Sequence, residues 1–231
     1  MERFPSTRHS AVRAVGSTDR EERQRALDIL AAAYWKPVVA YIRMKWPQEQ
    51  QNAEDLAQGF FAATLEKDYF AGYDPDKARF RTWLRVCLDG YVSNQRKAAA
   101  RLKRGGGVAA VELDESFPEQ RSLEEAFQQE WVRSMFGLAV DELKALCEER
   151  GKQIHFRLFS RYDLEDRGRE PDLGYQQLAV EFSLPLTQVT NYLAWARREF
   201  RRIVMDKLRE ITGSDEEFRQ EARLLLGVEL K

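Results

Sequence analysis

The stretch GYQQLAVEFSLPLTQVTNYLAWARREFRR, Gly174 to Arg202, constrains the fold more than any other part of the chain. Leu178 and Phe182 share a face at helical spacing, Ala179 allows a close neighbour, and Ser183-Leu184-Pro185 breaks the helix. From Leu186 the apolar residues Val189, Leu193, Ala196, Phe200 and Ile203 recur at alternating intervals of four and three, the stripe of a second amphipathic helix. Thr187, Gln188, Thr190, Asn191, Arg197, Arg198 and Arg201 lie off that stripe. A tight turn between two such helices, with amides and hydroxyls followed by guanidinium groups, is the pattern of a helix that reads a major groove. The competing reading is an ordinary helical hairpin with a solvated basic face. Against it, Arg197, Arg198, Arg201, Arg202, Lys207 and Arg209 face only Glu199 and Asp206 over the same span, and phosphate contact is the simplest use of such a bias.

Over the whole chain 37 basic residues nearly cancel 38 acidic ones, so nucleic-acid binding depends on local segregation of charge. At 231 residues and 43% hydrophobic, the chain is long enough for one large or two small cores, and disorder throughout is excluded. Cys87 and Cys147 sit in helical apolar patterns, away in sequence from His9 and His155, which argues against a zinc site. No run reaches the length of a membrane span, and the first residues lack a signal-peptide core, so a cytoplasmic protein is expected.

The remaining pattern is helical, with no clear strand and no internal repeat. Residues 1–18 read as an arm. Thr18 with Glu21 predicts a capping box ahead of ALDILAAAYW, and Pro37 predicts the first turn of a further helix closed by Pro47. Asn52 is placed to cap AEDLAQGFFAATLEK, whose Glu54 and Asp55 complement the positive helix end. As an acidic pair they make a poor catalytic dyad, because neighbouring helix positions point apart and no third chemical partner is in sight. The turn-rich segment Tyr69 to Asp76 carries three aromatics that either close over the core or shape a pocket for an unstacked base. In ARFRTWLRVCLDGYVSNQRKAAARLKRGGG, Phe80, Leu84, Cys87, Leu88 and Tyr91 are spaced for burial. Arg96, Lys97, Arg101, Lys103 and Arg104 then form a basic end without acidic residues, and three glycines stop the helix. Those glycines are not a phosphate-binding loop, since no strand precedes them. An acidic stretch follows, and a second helical domain begins near Phe127 and Trp131.

Together these features resemble the bacterial RNA polymerase sigma factors of the extracytoplasmic-function type, over about Ala33 to Ile211. AEDLAQGFFAATLEK looks like that family's Asp-Ala-Glu-Asp-Leu-x-Gln-x-x-Phe helix, ARFRTWLRVCLDGYVSNQRK like its promoter-melting helix, and GYQQLAVEFSLPLTQVTNYLAWARREF like its C-terminal helix-turn-helix. Three motifs in order are more specific than one. The resemblance implies an all-α fold of two small helical domains, a sigma region 2-like bundle (19–107) and a region 4-like helix-turn-helix (126–212). An acidic linker (108–125) joins them, and a tail helix (213–231) follows.

It also implies that Glu54, Asp55, Leu56, Gln58 and Phe60 dock on the beta-prime clamp of core RNA polymerase. Phe70, Tyr73, Arg79, Trp83, Asn94, Arg96, Lys97 and Arg101 would hold the melted minus-ten element of promoter DNA. Thr187, Gln188, Thr190, Asn191, Arg197, Arg198 and Arg201 would read the minus-thirty-five element as duplex. Asn52 replaces the first acidic residue of the docking motif, and Gly90 stands where many members carry an asparagine, although Asn94 retains an amide one turn on. No catalytic site, cofactor or metal is expected. An anti-sigma protein is the regulator the resemblance implies, and Thr64 on the docking helix makes a kinase a second candidate, because phosphate there would change the docking charge. The linker is either a solvated tether or an acidic occupant of a polymerase channel. A stand-alone helix-turn-helix regulator is the alternative function.

Overall fold

The computed structural model describes residues 10–66, 72–104, 120–165 and 174–227, and these are almost entirely helical with no strand among them. The elements in order are α1 (Ala11–Ala14), α2 (Arg20–Lys45), a 3-10 turn (Pro47–Asn52), α3 (Ala53–Glu66), α4 (Phe80–Arg104), α5 (Gln120–Glu149) and α6 (Gln153–Phe159). A π-turn (Ser160–Leu164), α7 (Tyr175–Glu181), α8 (Leu186–Ile211) and α9 (Asp215–Leu226) complete the described chain.

The chain divides into two compact units, Met1–Ser134 with Leu208–Lys231, and Met135–Lys207. The division falls within α5 and within α8. The sequence boundaries differ from it: α9, read as a tail of its own, belongs to the first unit. Residues 120–125 of the expected linker are the first turns of α5, because Leu123 and Phe127, four apart, are both buried there. The rest of that linker, and Phe70, lie outside the described residues.

In the first unit α2 is one helix of 26 residues. Its N-cap is Asp19, which accepts from the amides of Glu21 at 2.9 Å and Glu22 at 3.4 Å, while Ser17 Oγ donates to Glu22. The expected cap at Thr18 is thus displaced by one residue; a carboxylate meets the positive helix end better than a hydroxyl does. Pro37 lies inside α2 rather than starting a new helix. An internal proline costs about 3 kcal/mol, and it is tolerated here because Ala33, Tyr34, Val38, Val39, Tyr41 and Ile42 are buried on both sides of it. Each large side chain among them contributes roughly 1.5–3 kcal/mol. Asn52 donates its side-chain amide to Glu49. Phe80 meets Tyr34 edge-on at 5.5 Å, and Phe60 meets Tyr91 at 5.7 Å, so α2, α3 and α4 share aromatic contacts.

In the second unit the core joins Leu158, Leu178, Val189 and Leu193, with Ile154, Tyr162, Phe182 and Tyr192 packed against it. Ser183 ends α7 in the left-handed region at φ 53°, where Leu184 N–H donates to Ala179 O at 2.9 Å and Ser183 N–H to Val180 O at 3.2 Å. This six-to-one and five-to-two pair of bonds closes the helix end and turns the chain into Pro185 and α8. The sequence break at Ser183-Leu184-Pro185 is this turn.

Candidate nucleic-acid and polymerase surfaces

On α8 the apolar stripe buries Val189, Leu193, Ala196 and Ile203 and leaves Thr187, Gln188, Asn191, Arg198 and Arg201 exposed. Arg198 and Arg201 have no ion pair among the described residues, so their charges are free for a partner. Two other positions are not free. Thr190 Oγ1 donates back to Leu186 O and Thr187 O, at 3.2 and 2.9 Å.

Arg197 makes a fork with Asp163, Nε to Oδ2 at 2.9 Å and Nη2 to Oδ1 at 3.0 Å, and donates through Nη1 to Tyr175 Oη at 3.0 Å. Burial opposes its charge, but the bonds to Asp163 and Tyr175 outweigh that and hold it more firmly protonated than usual. Arg197 therefore ties α8 to α7 and the π-turn, so of the residues expected to read DNA it is one already held by partners in its own unit. The sequence signal for this lay in Asp163 and Tyr175, whose distances along the chain conceal their partner. His155 stacks on Tyr192 at 4.0 Å, and burial, with Lys152 beside it, pushes its pKa down.

On α3, Glu54, Asp55 and Gln58 are exposed and Leu56 is half-buried, while Glu54 pairs with Arg43 at 2.8 Å. Phe60 is fully buried and packs edge-on against Phe61 and Tyr91. It cannot touch a partner protein and is corrected to a core residue that fixes the docking face from behind. Thr64 is also buried, and its hydroxyl donates to Phe61 O at 2.6 Å, so α3 does not present it to a kinase.

The residues assigned to the melted strand separate into two groups. Asn94, Lys97 and Arg101 are exposed along the far half of α4, and Arg96 lies 3.9 Å from Glu49. Tyr73, Arg79 and Trp83 are engaged at the near end. Tyr73 packs on Phe80 at 5.2 Å and on Trp83 at 5.6 Å, which is the core-closing use of loop aromatics. Burial, then Glu217, raises the Tyr73 pKa, and its hydroxyl donates to Glu217 at 3.1 Å. Arg79 donates to Gln220 Oε1 at 2.9 Å and lies 3.8 Å from Glu221.

Glu217 thereby serves three donors. Oε1 accepts the Phe80 amide at 2.6 Å, at the start of α4, and Oε2 accepts the Gly213 amide at 2.7 Å as well as the Tyr73 hydroxyl. Gly213 is required where it stands, since an added Cβ would come within 2.8 Å of the Tyr73 ring and 3.3 Å of Pro75. Glu221 pairs with Arg81 at 3.2 Å, and Arg81 stacks over Trp131 at 5.1 Å. Burial raises the Glu221 pKa against the pull of Arg81 and Arg79.

Among the described residues no group of His, Cys, Asp or Glu is placed to hold a metal ion, and no helix is long and apolar enough to cross a membrane. Cys87 and Cys147 are free thiols whose pKa values burial pushes up, Cys87 to about 11. No family model, curated protein or solved structure matches this chain.

Proposed function

We propose that this chain is a sigma factor of the extracytoplasmic-function type, acting in the bacterial cytoplasm. It binds core RNA polymerase through Asp55, Gln58 and their neighbours on α3 and directs it to promoters, without a catalytic site of its own. The polymerase supplies the nucleotide chemistry. The reading rests on three sequence motifs in order, and the observation that supports it best is the exposed face of α8. Gln188 and Asn191 carry amides suited to the donor and acceptor pair of adenine, Thr187 adds a hydroxyl, and Arg198 and Arg201 follow for phosphates. Asn94, Lys97 and Arg101 extend along the exposed end of α4, where an opened strand would run. A stand-alone regulator would use the same face of α8 but leaves that basic end of α4 without a task.

Reconstitution with core polymerase on a library of genomic promoters tests the proposal: new transcript starts that require this chain are expected, and the absence of both capture by the polymerase and new starts would overturn it. Asp55 is exposed in the first turn of α3, so Asp55→Lys should weaken polymerase association about tenfold, or about 1.4 kcal/mol, with circular dichroism unchanged. Arg198→Ala should weaken duplex binding and reduce its salt slope by about one, the signature of a lost phosphate contact. An unchanged slope removes Arg198 from the contact set.

A further inference from the structure

Glu217, Gln220 and Glu221 lie three and four residues apart on α9, and so share a face. On a surface helix such residues face water, yet Glu217 is 6% exposed and Glu221 2%. They are turned instead onto the start of α4 and the segment before it, where they meet the Phe80 amide, Tyr73, Arg79 and Arg81.

Those are the donors that an anionic strand would use. A first-turn amide of a 25-residue helix, two guanidinium groups and a tyrosine hydroxyl suit a phosphate as well as a carboxylate. Trp83 adds a half-buried ring beside them. A cavity of about 390 Å³ opens alongside, lined in part by Lys77, Arg79, Arg81, Thr82 and Arg85 and by Glu124, which pairs with Arg85 at 3.1 Å, so cations outnumber carboxylates along it.

The hold of α9 on this surface is imperfect. Among the described residues neither oxygen of Glu221 accepts a hydrogen bond, although it is ion-paired, and Nη1 of Arg81, itself buried, finds no acceptor. Buried charges that are paired without full hydrogen bonding return little of their desolvation cost. A helix of 12 residues has little stability apart from its packing, and the apolar side chains that α9 buries are Phe218, Ala222 and Leu225.

We propose that α9 is an internal occupant of a surface for single-stranded DNA, with Glu217 and Glu221 held where phosphates of the strand bind, and that the strand and α9 exclude one another. This rests on the promoter-melting reading and adds its regulation: the region binds an opened strand only when α9 is displaced. The apparent affinity for the strand is then the intrinsic affinity scaled by the fraction of molecules with α9 released.

The test uses the whole 231-residue chain and a fluorescently labelled, short single-stranded DNA pool of random sequence, with and without core polymerase. The double variant Glu217→Gln with Glu221→Gln keeps neutral acceptors at both positions but removes both charges, and should bind roughly tenfold more tightly as the released fraction rises. Gln220→Glu adds a carboxylate opposite Arg79 and should bind about threefold more weakly. Hydrogen exchange in the parent chain should show α9 amides exchanging faster once DNA is bound.

A merely structural α9 predicts the opposite order, since loosening it would damage the surface. Tighter binding by the double variant, weaker binding by Gln220→Glu and faster exchange in α9 support the inference. Binding that does not respond to the variants, or α9 amides that are equally or better protected with DNA bound, overturns it while leaving the promoter-melting reading standing. If the double variant fails to fold, Gln220→Glu and the exchange experiment on the parent chain decide by the same criteria. No binding by the parent or any variant, even with polymerase present, overturns the promoter-melting reading and the inference with it.

Discussion

Trp131→Ala should lower the unfolding free energy by about 3–5 kcal/mol, the usual range for a buried aromatic truncated to alanine. Trp131 is 1% exposed, so almost its whole indole leaves water on folding and little room exists for solvent to fill the space it vacates. It also carries an electrostatic load. The Arg81 guanidinium lies 5.1 Å from the ring centre, and the same Arg81 pairs with the buried Glu221. Removing the ring therefore takes a cation–π partner from an arginine that water reaches poorly, adding to the cavity term. Trp131→Phe keeps an aromatic face beneath Arg81 and should lose less than half as much. Urea unfolding monitored by circular dichroism, with an unchanged denaturant slope, measures both. A loss below about 1 kcal/mol for the alanine variant would mean that the indole is not the keystone its burial implies.

Trp131 was legible in the sequence as a buried helix residue, but it was placed at the start of the second domain, whereas it belongs to the first compact unit, and its neighbours there were not legible. The difference is one of range. The α7–α8 turn could be read because everything that makes it is local: the period of Leu178 and Phe182, the stop at Ser183-Leu184-Pro185, and the restarted stripe from Val189. Asp19 in place of Thr18, and the continuation of α2 through Pro37, are errors of a different kind, since the local signal was real but competed with a charged neighbour or with burial on both sides. Phe60 belonged to a motif whose other members face outward, and its apolar character was the better guide to where it went.

The contacts of α9 with Tyr73, Arg79 and Phe80 run between residues more than 130 positions apart, and no period connects Tyr73 or Phe80 with Glu217. One sign was nonetheless present in the sequence. Glu217 and Glu221 fall beside Phe218, Ala222 and Leu225 at spacings of three and four, so two carboxylates intrude on the face that must be buried. Charges inside an apolar stripe call for partners elsewhere in the chain, and here Glu221 finds Arg81 at the start of α4 and Arg79 just ahead of it, in the same unit. Arg197 follows the same logic in reverse: it was read as exposed because its stripe was polar, and it is held because Asp163 and Tyr175 come to it from outside α8.

Glu217→Ala should then cost roughly 3 kcal/mol of stability, because three donors lose their acceptor at once. Two of them, the Phe80 and Gly213 amides, are in buried bonds of 2.6 and 2.7 Å, and a buried amide left unmet costs about 1–3 kcal/mol. The third, the Tyr73 hydroxyl, is half-buried and can turn to water, so it adds little. Glu217→Gln retains one side-chain oxygen with two lone pairs and should cost about 1 kcal/mol, with the loss concentrated where an amide group replaces the second oxygen. Hydrogen exchange separates these outcomes from a general loosening: the Phe80 and Gly213 amides should speed up in Glu217→Ala far more than amides within α3, whose backbone bonds do not involve Glu217. Equal stability of the two variants, or uniform acceleration along the chain, would mean that the carboxylate is a bystander. The ordering Ala below Gln below parent, with the change confined to the two amides that Glu217 serves, is the result that its three hydrogen bonds require.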